Sequence, residues 1–205
     1  MSNTPLTDQI NKTTQPHCLE DFLKNIQDPR RDAILRIYHD HKDLFHKAGG
    51  STNNHQAWPG GYADHIAECL LVNDKVYDAL AGIREPGFSK DSAAISLFFH
   101  DIEKPFKNIS STDPRVVKWQ ARQKDTGISW EDIKWVIIEE MKLEYNLSFT
   151  QDEINALTYT HGEGDDYLKD RRVSSPLAAH VHHCDNTSAR IWHDYGREHN
   201  NNILK

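Results

Sequence analysis

Apolar residues recur at helical spacing along most of the chain, and no stretch alternates as a half-buried strand does. This pattern predicts helices over residues 18–26, 30–47, 61–81, 116–124, 130–145 and 176–195. Two more helices should begin after Ser89 and Thr150 as N-caps and end at His100-Asp101 and near His161-Gly162. We therefore expect an all-α domain over residues 17–205, preceded by a loose polar leader at residues 1–16.

Length and composition fit one globular domain. The chain has 205 residues, of which 37% are hydrophobic and 27% charged. No apolar run is long enough to span a membrane, and the first residues lack an apolar signal core, so a cytoplasmic protein is expected. Three cysteines without CxxC spacing argue against both a disulfide framework and a cysteine zinc cluster.

The charge balance limits the partners. A formal net charge of −7 disfavours tight, non-specific binding to nucleic acid, where basic surface supplies most of the affinity. It allows a small phosphorylated substrate held by a metal ion and a few local cations. No membrane partner is expected.

The dipeptide His100-Asp101 follows the apolar run at residues 93–99. Burying a carboxylate costs several kcal/mol without compensation, and a metal ion bound by both side chains would supply it. The alternative is a helix end, where His100 caps carbonyls and Asp101 turns to solvent. A second such motif, His39-Asp40-His41, lies in a polar helix and is expected on a solvated face.

Further metal-ligand candidates lie elsewhere in the chain. His65 occurs early in a predicted helix, and Asp185 lies on a mostly apolar one. His182 precedes Asp185 by three residues, so both face the same side of that helix. His161 lies where a helix gives way to a basic loop.

The order His65, then His100-Asp101, then Asp185 resembles the metal-binding signature of the HD superfamily of phosphohydrolases. Residues 55–65 resemble the segment in which paired glycines precede the first ligand histidine, and residues 97–104 resemble the family's H-D-I-G-K segment. Residues 161–163 and 176–185 resemble late motifs, most closely those of a branch containing a bacterial 3′-to-5′ exoribonuclease HD domain. The resemblance covers roughly residues 50–195.

The resemblance implies an HD-type helical bundle that binds one or two divalent transition-metal ions. The first ion would be held by His65, His100, Asp101 and Asp185. A second ion would add His161 and His182 as ligands. The alternative is that His161 caps a helix and His182 packs beside the site. Histidine with oxygen ligands suits Mn, Fe, Co, Ni or Zn.

Residues around the dipeptide are candidates for catalysis and substrate binding. Glu103 stands where the family motif has glycine, and it either holds the attacking water or only pairs with a nearby lysine. Lys104 matches the family lysine and is a candidate for both catalysis and phosphate contact. Other candidate substrate contacts are His55, Arg171, Arg172 and Arg190.

The expected function is metal-dependent hydrolysis of a phosphomonoester or phosphodiester in a nucleotide or short oligonucleotide, through a water activated by the metal. Two alternatives remain. A mixed-valence di-iron oxygenase of this superfamily would need all six ligands, and it would place two histidines well before the final aspartate. A non-catalytic binding module would have lost ligands of the kind that this chain retains.

Overall fold

The computed structural model describes residues 18–192, and this part of the chain contains helices and no strand. The all-α prediction is therefore confirmed, while the predicted leader at residues 1–16 lies outside the described residues. The helices are α1 (Leu19–Lys24), α2 (Arg31–Phe45), α3 (Gly61–Ala81), α4 (Lys90–Phe99), α5 (Lys104–Lys107), α6 (Pro114–Thr126), α7 (Trp130–Tyr145), α8 (Gln151–Thr158) and α9 (Pro176–Asn186). A short 3₁₀ turn occupies Gly164–Asp166, and a π-helical segment, Thr187–Trp192, continues α9.

The helix starts are set by local side-chain caps. Ser89 accepts a hydrogen bond from the backbone N–H of Ser92 at the start of α4. Thr150 and Glu153 form a reciprocal capping box at the start of α8, as the sequence predicted. These bonds satisfy N–H groups that have no partner within the first helical turn.

Several predicted helix ends differ from the structure by one or two residues, and three differences are larger or change the element. Helix α8 ends at Thr158, before the predicted end near His161-Gly162. Pro105 was expected to limit further helix, yet it lies in the first turn of α5, where its missing N–H costs no bond. The helix predicted over residues 176–195 changes to π-helix after Asn186, and residues 193–195 lie outside the described part.

Helices α3, α4 and α9 pack against one another at the centre of the molecule, and α8 packs against both α4 and α9. All three contribute fully buried apolar side chains to the core, including Ile66, Phe98 and Val181. Helix α1 packs against both α2 and α3. Helix α6 packs against α5 and α7, and both α5 and α7 also pack against α2. None of the helices within residues 18–192 combines the length and apolar character that crossing a membrane requires.

The loop before α3 requires both of its paired glycines. Gly60 adopts a positive φ of 87°, which a side chain disfavours. A Cβ on Gly61 would lie 1.8 Å from the carbonyl oxygen of Gln56. Gly60 thus provides a positive φ and Gly61 allows close approach of the backbone, the two roles considered for paired glycines from the sequence. Together they let residues 55–56 pack against the first turns of α3.

The second His-Asp motif lies on the surface of α2, as predicted. His39 and Asp40 are exposed, and Asp40 accepts a hydrogen bond from the Tyr145 hydroxyl at 2.9 Å. His41 is half-buried, with its ring against that of Phe106. This motif is therefore separate from the buried His100-Asp101 pair.

Candidate metal centre

Four predicted ligands meet where the three central helices cross. His65 comes from α3, His100 and Asp101 follow the end of α4, and Asp185 comes from α9; all four are buried. His65 Nε2 lies 3.3 Å from His100 Nε2 and 3.2 Å from Asp185 Oδ1. His100 Nε2 lies 3.1 Å from Asp101 Oδ2. The structure thus brings these four residues together.

The donor spacing fits a single metal ion. The separations of the two Nε2 atoms from each other and from the two carboxylates run from 3.1 to 3.6 Å. Tetrahedral donors at a metal–nitrogen distance of about 2.1 Å are about 3.4 Å apart. These side chains could therefore hold a metal ion with little rearrangement.

Hydrogen bonds orient both imidazoles toward the centre. His100 Nδ1 donates to the carbonyl oxygen of Leu97 at 2.7 Å, so that nitrogen carries a proton. His65 Nδ1 lies 3.0 Å from Ser188 Oγ. A histidine whose Nδ1 is held in this way presents its Nε2 as the metal-binding atom.

A proton balances the centre when no ion is bound. Burial opposes protonation of His100, but the carboxylates of Asp101 and Asp185 outweigh it and raise the pKa of His100 to about 10. Burial also favours the neutral acids, yet His100 and Lys104 hold the pKa of Asp101 well below its ordinary value. The hydrogen bond from His100 lowers the pKa of Asp185 in the same way. A divalent cation could replace this proton.

Cys69 is a donor that the sequence interpretation missed. It follows His65 by one helical turn, and its Sγ lies 3.8 Å from His65 Nε2. One ligand atom from each of His65, Cys69, His100 and Asp185 lies within 4.8 Å of the others. The argument against a cysteine cluster holds for CxxC-type sites, but it overlooked a single cysteine at i+4 from a ligand histidine.

The remaining carboxylate oxygens face His161. Its Nε2 lies 3.8 Å from Asp101 Oδ1 and 3.9 Å from Asp185 Oδ2, while the side chain is 58% exposed. His182 lies at the wall of the adjoining cleft, and its Nδ1 donates to the Thr160 carbonyl. The His182 Nε2 is 2.9 Å from the Asn186 amide nitrogen. The structure thus brings His161 to the carboxylates and holds His182 beside them.

A polar cleft of about 560 Å³ opens onto the centre. Three of the predicted substrate contacts, His55, Lys104 and Arg190, lie in its wall. Arg171 and Arg172 are exposed and are not among the residues that line it. The full lining consists of Asn53, Asn54, His55, Lys104, His161, His182, Asp185, Asn186, Ala189 and Arg190.

Lys104 and Glu103 point to different environments. The Lys104 ammonium group pairs with Asp101 Oδ2 and also lines the cleft. Glu103 is buried outside that lining, and within residues 18–192 no hydrogen bond reaches its Oε2. Burial and the Asp101 carboxylate raise the pKa of Glu103 to about 7. The predicted catalytic role of Glu103 stays a prediction.

Three polar residues behind His65 were not singled out from the sequence. Ser188 donates to Glu68 Oε2 at 2.6 Å, and the Gln56 amide donates to the same oxygen at 2.7 Å. The Gln56 Oε1 lies 2.6 Å from His55 Nδ1. Spacing could have identified two of the three, because Glu68 and Ser188 each follow a predicted ligand by three residues.

Comparisons with known proteins identify no relative of this chain. No family model, curated protein or solved structure matches the chain. The functional argument therefore depends on the donor atoms and the cleft, and the resemblance of the motif order to the HD superfamily stays a prediction from sequence.

Proposed function

We propose that this protein is a metal-dependent phosphohydrolase of the HD superfamily. Its substrate would be a nucleotide or a short oligonucleotide, cleaved at a phosphomonoester or phosphodiester bond. The proposal combines the order of the sequence motifs with a buried group of histidine and carboxylate donors, of which Asp185 also lines a polar cleft.

One observation carries the proposal. The carboxylates of Asp101 and Asp185 each direct one oxygen toward the two buried imidazoles and the other toward His161. A carboxylate whose two oxygens face different groups of ligands is suited to bridging two cations. Two-cation sites are common in enzymes that cleave phosphate esters. His65 and His100 would hold the inner ion, and His161 the outer one at the cleft.

The metal and the cleft residues would have different tasks. A bound divalent ion would lower the pKa of a water ligand and so supply a nucleophile at neutral pH. Lys104 lies in the cleft beside Asp101, where its ammonium group can contact a phosphate oxygen. Arg190 lies in the same cleft and offers a second cation for the substrate's negative charge.

The size and polarity of the cleft favour a small substrate. Its volume of about 560 Å³ falls within the range of sites that enclose small molecules. Asparagine amides, histidines and two cations form most of its wall, so recognition would depend on hydrogen bonds and charge. This agrees with the negative net charge, which offers little attraction to a long nucleic acid.

The test is a screen of the metal-reconstituted protein against deoxynucleotides, cyclic nucleotides and short RNA, with product analysis. We expect hydrolysis with Mn²⁺ or Co²⁺, and its loss in Asp101→Asn. Oxygen consumption by the iron-loaded protein would favour the oxygenase class instead. Ligand binding without product in single-turnover assays, with every metal tried, would overturn the enzyme proposal in favour of a binding module.

A further inference from the structure

A hydrogen-bonded cluster lies behind the proposed metal ligand His65. It consists of Ser188, Glu68 and Gln56. Ser188 Oγ is 3.0 Å from His65 Nδ1 and 2.6 Å from Glu68 Oε2. The Gln56 amide nitrogen is 3.0 Å from Ser188 Oγ and 2.7 Å from Glu68 Oε2. Gln56 and Ser188 are both fully buried.

The bonding capacity of these groups determines which of them donate. Glu68 Oε2 accepts from the Gln56 amide, so the single hydrogen of the Ser188 hydroxyl can also point to it. The Ser188 oxygen then accepts from both Gln56 and His65. When Glu68 is ionised, His65 therefore carries its proton on Nδ1, which leaves the Nε2 lone pair facing His100 and the two carboxylates.

The backbone around Gln56 is held in an uncommon conformation. Gln56 has a φ of 42°, a region that residues other than glycine seldom adopt. Its carbonyl oxygen occupies the space in which Gly61 would carry a side chain. Such a conformation persists where the surroundings fix it, and here it delivers the Gln56 amide to Ser188 and Glu68.

We propose that Ser188, fixed by Glu68 and Gln56, is a positioning residue that holds His65 in the tautomer and ring orientation that bind the metal ion. This inference rests on the proposed metal site and adds residues that act on it without touching the ion. Outer hydrogen-bond partners of this kind commonly change metal affinity by about 10–100-fold.

The test compares Zn²⁺ affinity in Ser188→Ala with that in a matched variant, Ser96→Ala. Ser96 is equally buried, and among residues 18–192 its hydroxyl bonds only to the Ser92 carbonyl of the same helix. We expect Ser188→Ala to weaken Zn²⁺ binding by about 10–100-fold and Ser96→Ala to leave it unchanged. Ser188→Thr, which retains a hydroxyl, should restore most of the affinity.

Nitrogen NMR of the histidine rings separates positioning from a general loss of structure. The His65 signals, assigned by their absence in His65→Gln, should show Nδ1 protonation in the wild type and a mixture of tautomers in Ser188→Ala. Thermal unfolding should show that Ser188→Ala and Ser96→Ala remain folded. If Zn²⁺ binds Ser188→Ala as tightly as the wild type, with the same His65 tautomer, the inference is wrong. If the wild type binds no metal, the proposed function fails as well.

Discussion

Asp101, which follows α4, and Asp185, which lies in α9, each divide their two carboxylate oxygens between two groups of histidines. Asp101 Oδ2 lies 3.1 Å from His100 Nε2, and its Oδ1 lies 3.8 Å from His161 Nε2. Asp185 Oδ1 lies 3.2 Å from His65 Nε2, and its Oδ2 lies 3.9 Å from His161. The two aspartates therefore form the boundary between a buried inner group and an outer group at the cleft.

Asp101→Asn should remove at least one bound metal ion. A neutral amide is a poor metal ligand and cannot offset the charge of a cation, so any hydrolysis should fall by more than about 100-fold, beyond the usual cost of losing an outer partner. Metal analysis of the purified variant after reconstitution provides the measurement.

Asp40→Asn is the matched control. Asp40 belongs to the exposed His39-Asp40-His41 motif, and an amide oxygen can still accept from Tyr145. Metal content and activity should both match the wild type. Full metal occupancy in Asp101→Asn would contradict the assignment of the site.

His161→Ala should separate the two proposed ions. The inner group does not include His161, so we expect metal stoichiometry to fall from two ions to one with the inner ion retained. In the wild type the ions should lie about 3.5–4 Å apart. Elemental analysis and a metal-loaded crystal structure would measure both quantities.

His183→Ala provides the comparison for that variant. His183 lies on the same helix as Asp185, but its side chain is exposed, and it is not among the cleft-lining residues. Its removal should leave the stoichiometry unchanged. A single ion in the wild type, with His161 directed elsewhere, would reject the binuclear version and leave the inner site intact.

Metal affinity should rise with pH. The raised pKa of His100, about 10, means that the ion-free protein holds a proton there at neutral pH, and a bound ion must displace it. The carboxyls of Asp101 and Asp185 have lowered pKa values and contribute no proton. The dissociation constant should therefore fall about tenfold per pH unit between about pH 6 and pH 8.

The same raised pKa has the opposite consequence for the ion-free fold. A group whose pKa is raised on folding stabilises the protein at pH values below its unfolded pKa, here about 6.5, and that contribution is lost as pH rises through about 10.

For metal binding, calorimetry in buffers of different ionisation enthalpy would count the protons that are released when the ion binds. A pH-independent affinity with no proton release would contradict the assignment.

Local features of the fold could be predicted from the sequence, because adjacent residues determine them. Ser89 and Thr150 cap helices through bonds to residues three positions later, and both were predicted. The four central ligands could be proposed because a buried carboxylate needs a partner and because their order resembles the HD signature. The contact between His65 and Ser188 joins positions 123 residues apart, and no periodicity encodes it.

The side-chain directions in the basic loop that contains Arg171 and Arg172 also could not be predicted from the sequence. Arg171 and Arg172 were candidate substrate contacts because they follow His161, but loop composition gives no direction for the side chains. In the structure both are exposed outside the cleft lining, and Arg172 packs over the Tyr167 ring. Arg190 lines the cleft because the π-helical segment continues α9 past Asp185.

Gly61→Ala should destabilise the protein strongly. The new Cβ would lie 1.8 Å from the Gln56 carbonyl oxygen, so the backbone of the loop or of α3 would have to move. We expect a loss of at least about 2 kcal/mol in the free energy of unfolding, measured by urea denaturation. Gly87→Ala is the control, since a Cβ on Gly87 would meet nothing within 4 Å, and it should change stability little.

Small substrates should be hydrolysed at least as well, per phosphate, as long ones. The protein carries a net charge of −7, and the cations nearest the site are Lys104 and Arg190 rather than a basic stripe. We therefore expect kcat/KM on a dinucleotide to equal or exceed that on a strand of roughly 20 nucleotides, with a shallow dependence of KM on salt. A large advantage for the long strand that disappears at high salt would move the protein to the exonuclease class.

Arg190→Ala tests which cations bind the small substrate. Because Arg190 lines the cleft, its loss should raise KM for the preferred small substrate by about tenfold, the value of one exposed charge-assisted hydrogen bond. The double variant Arg171→Ala/Arg172→Ala removes two exposed cations outside the lining and should change KM less than about twofold, well below the Arg190→Ala effect. Steady-state kinetics of both variants at one salt concentration gives the comparison. If the double variant raised KM while Arg190→Ala did not, the basic loop, and not the cleft wall, would hold the substrate.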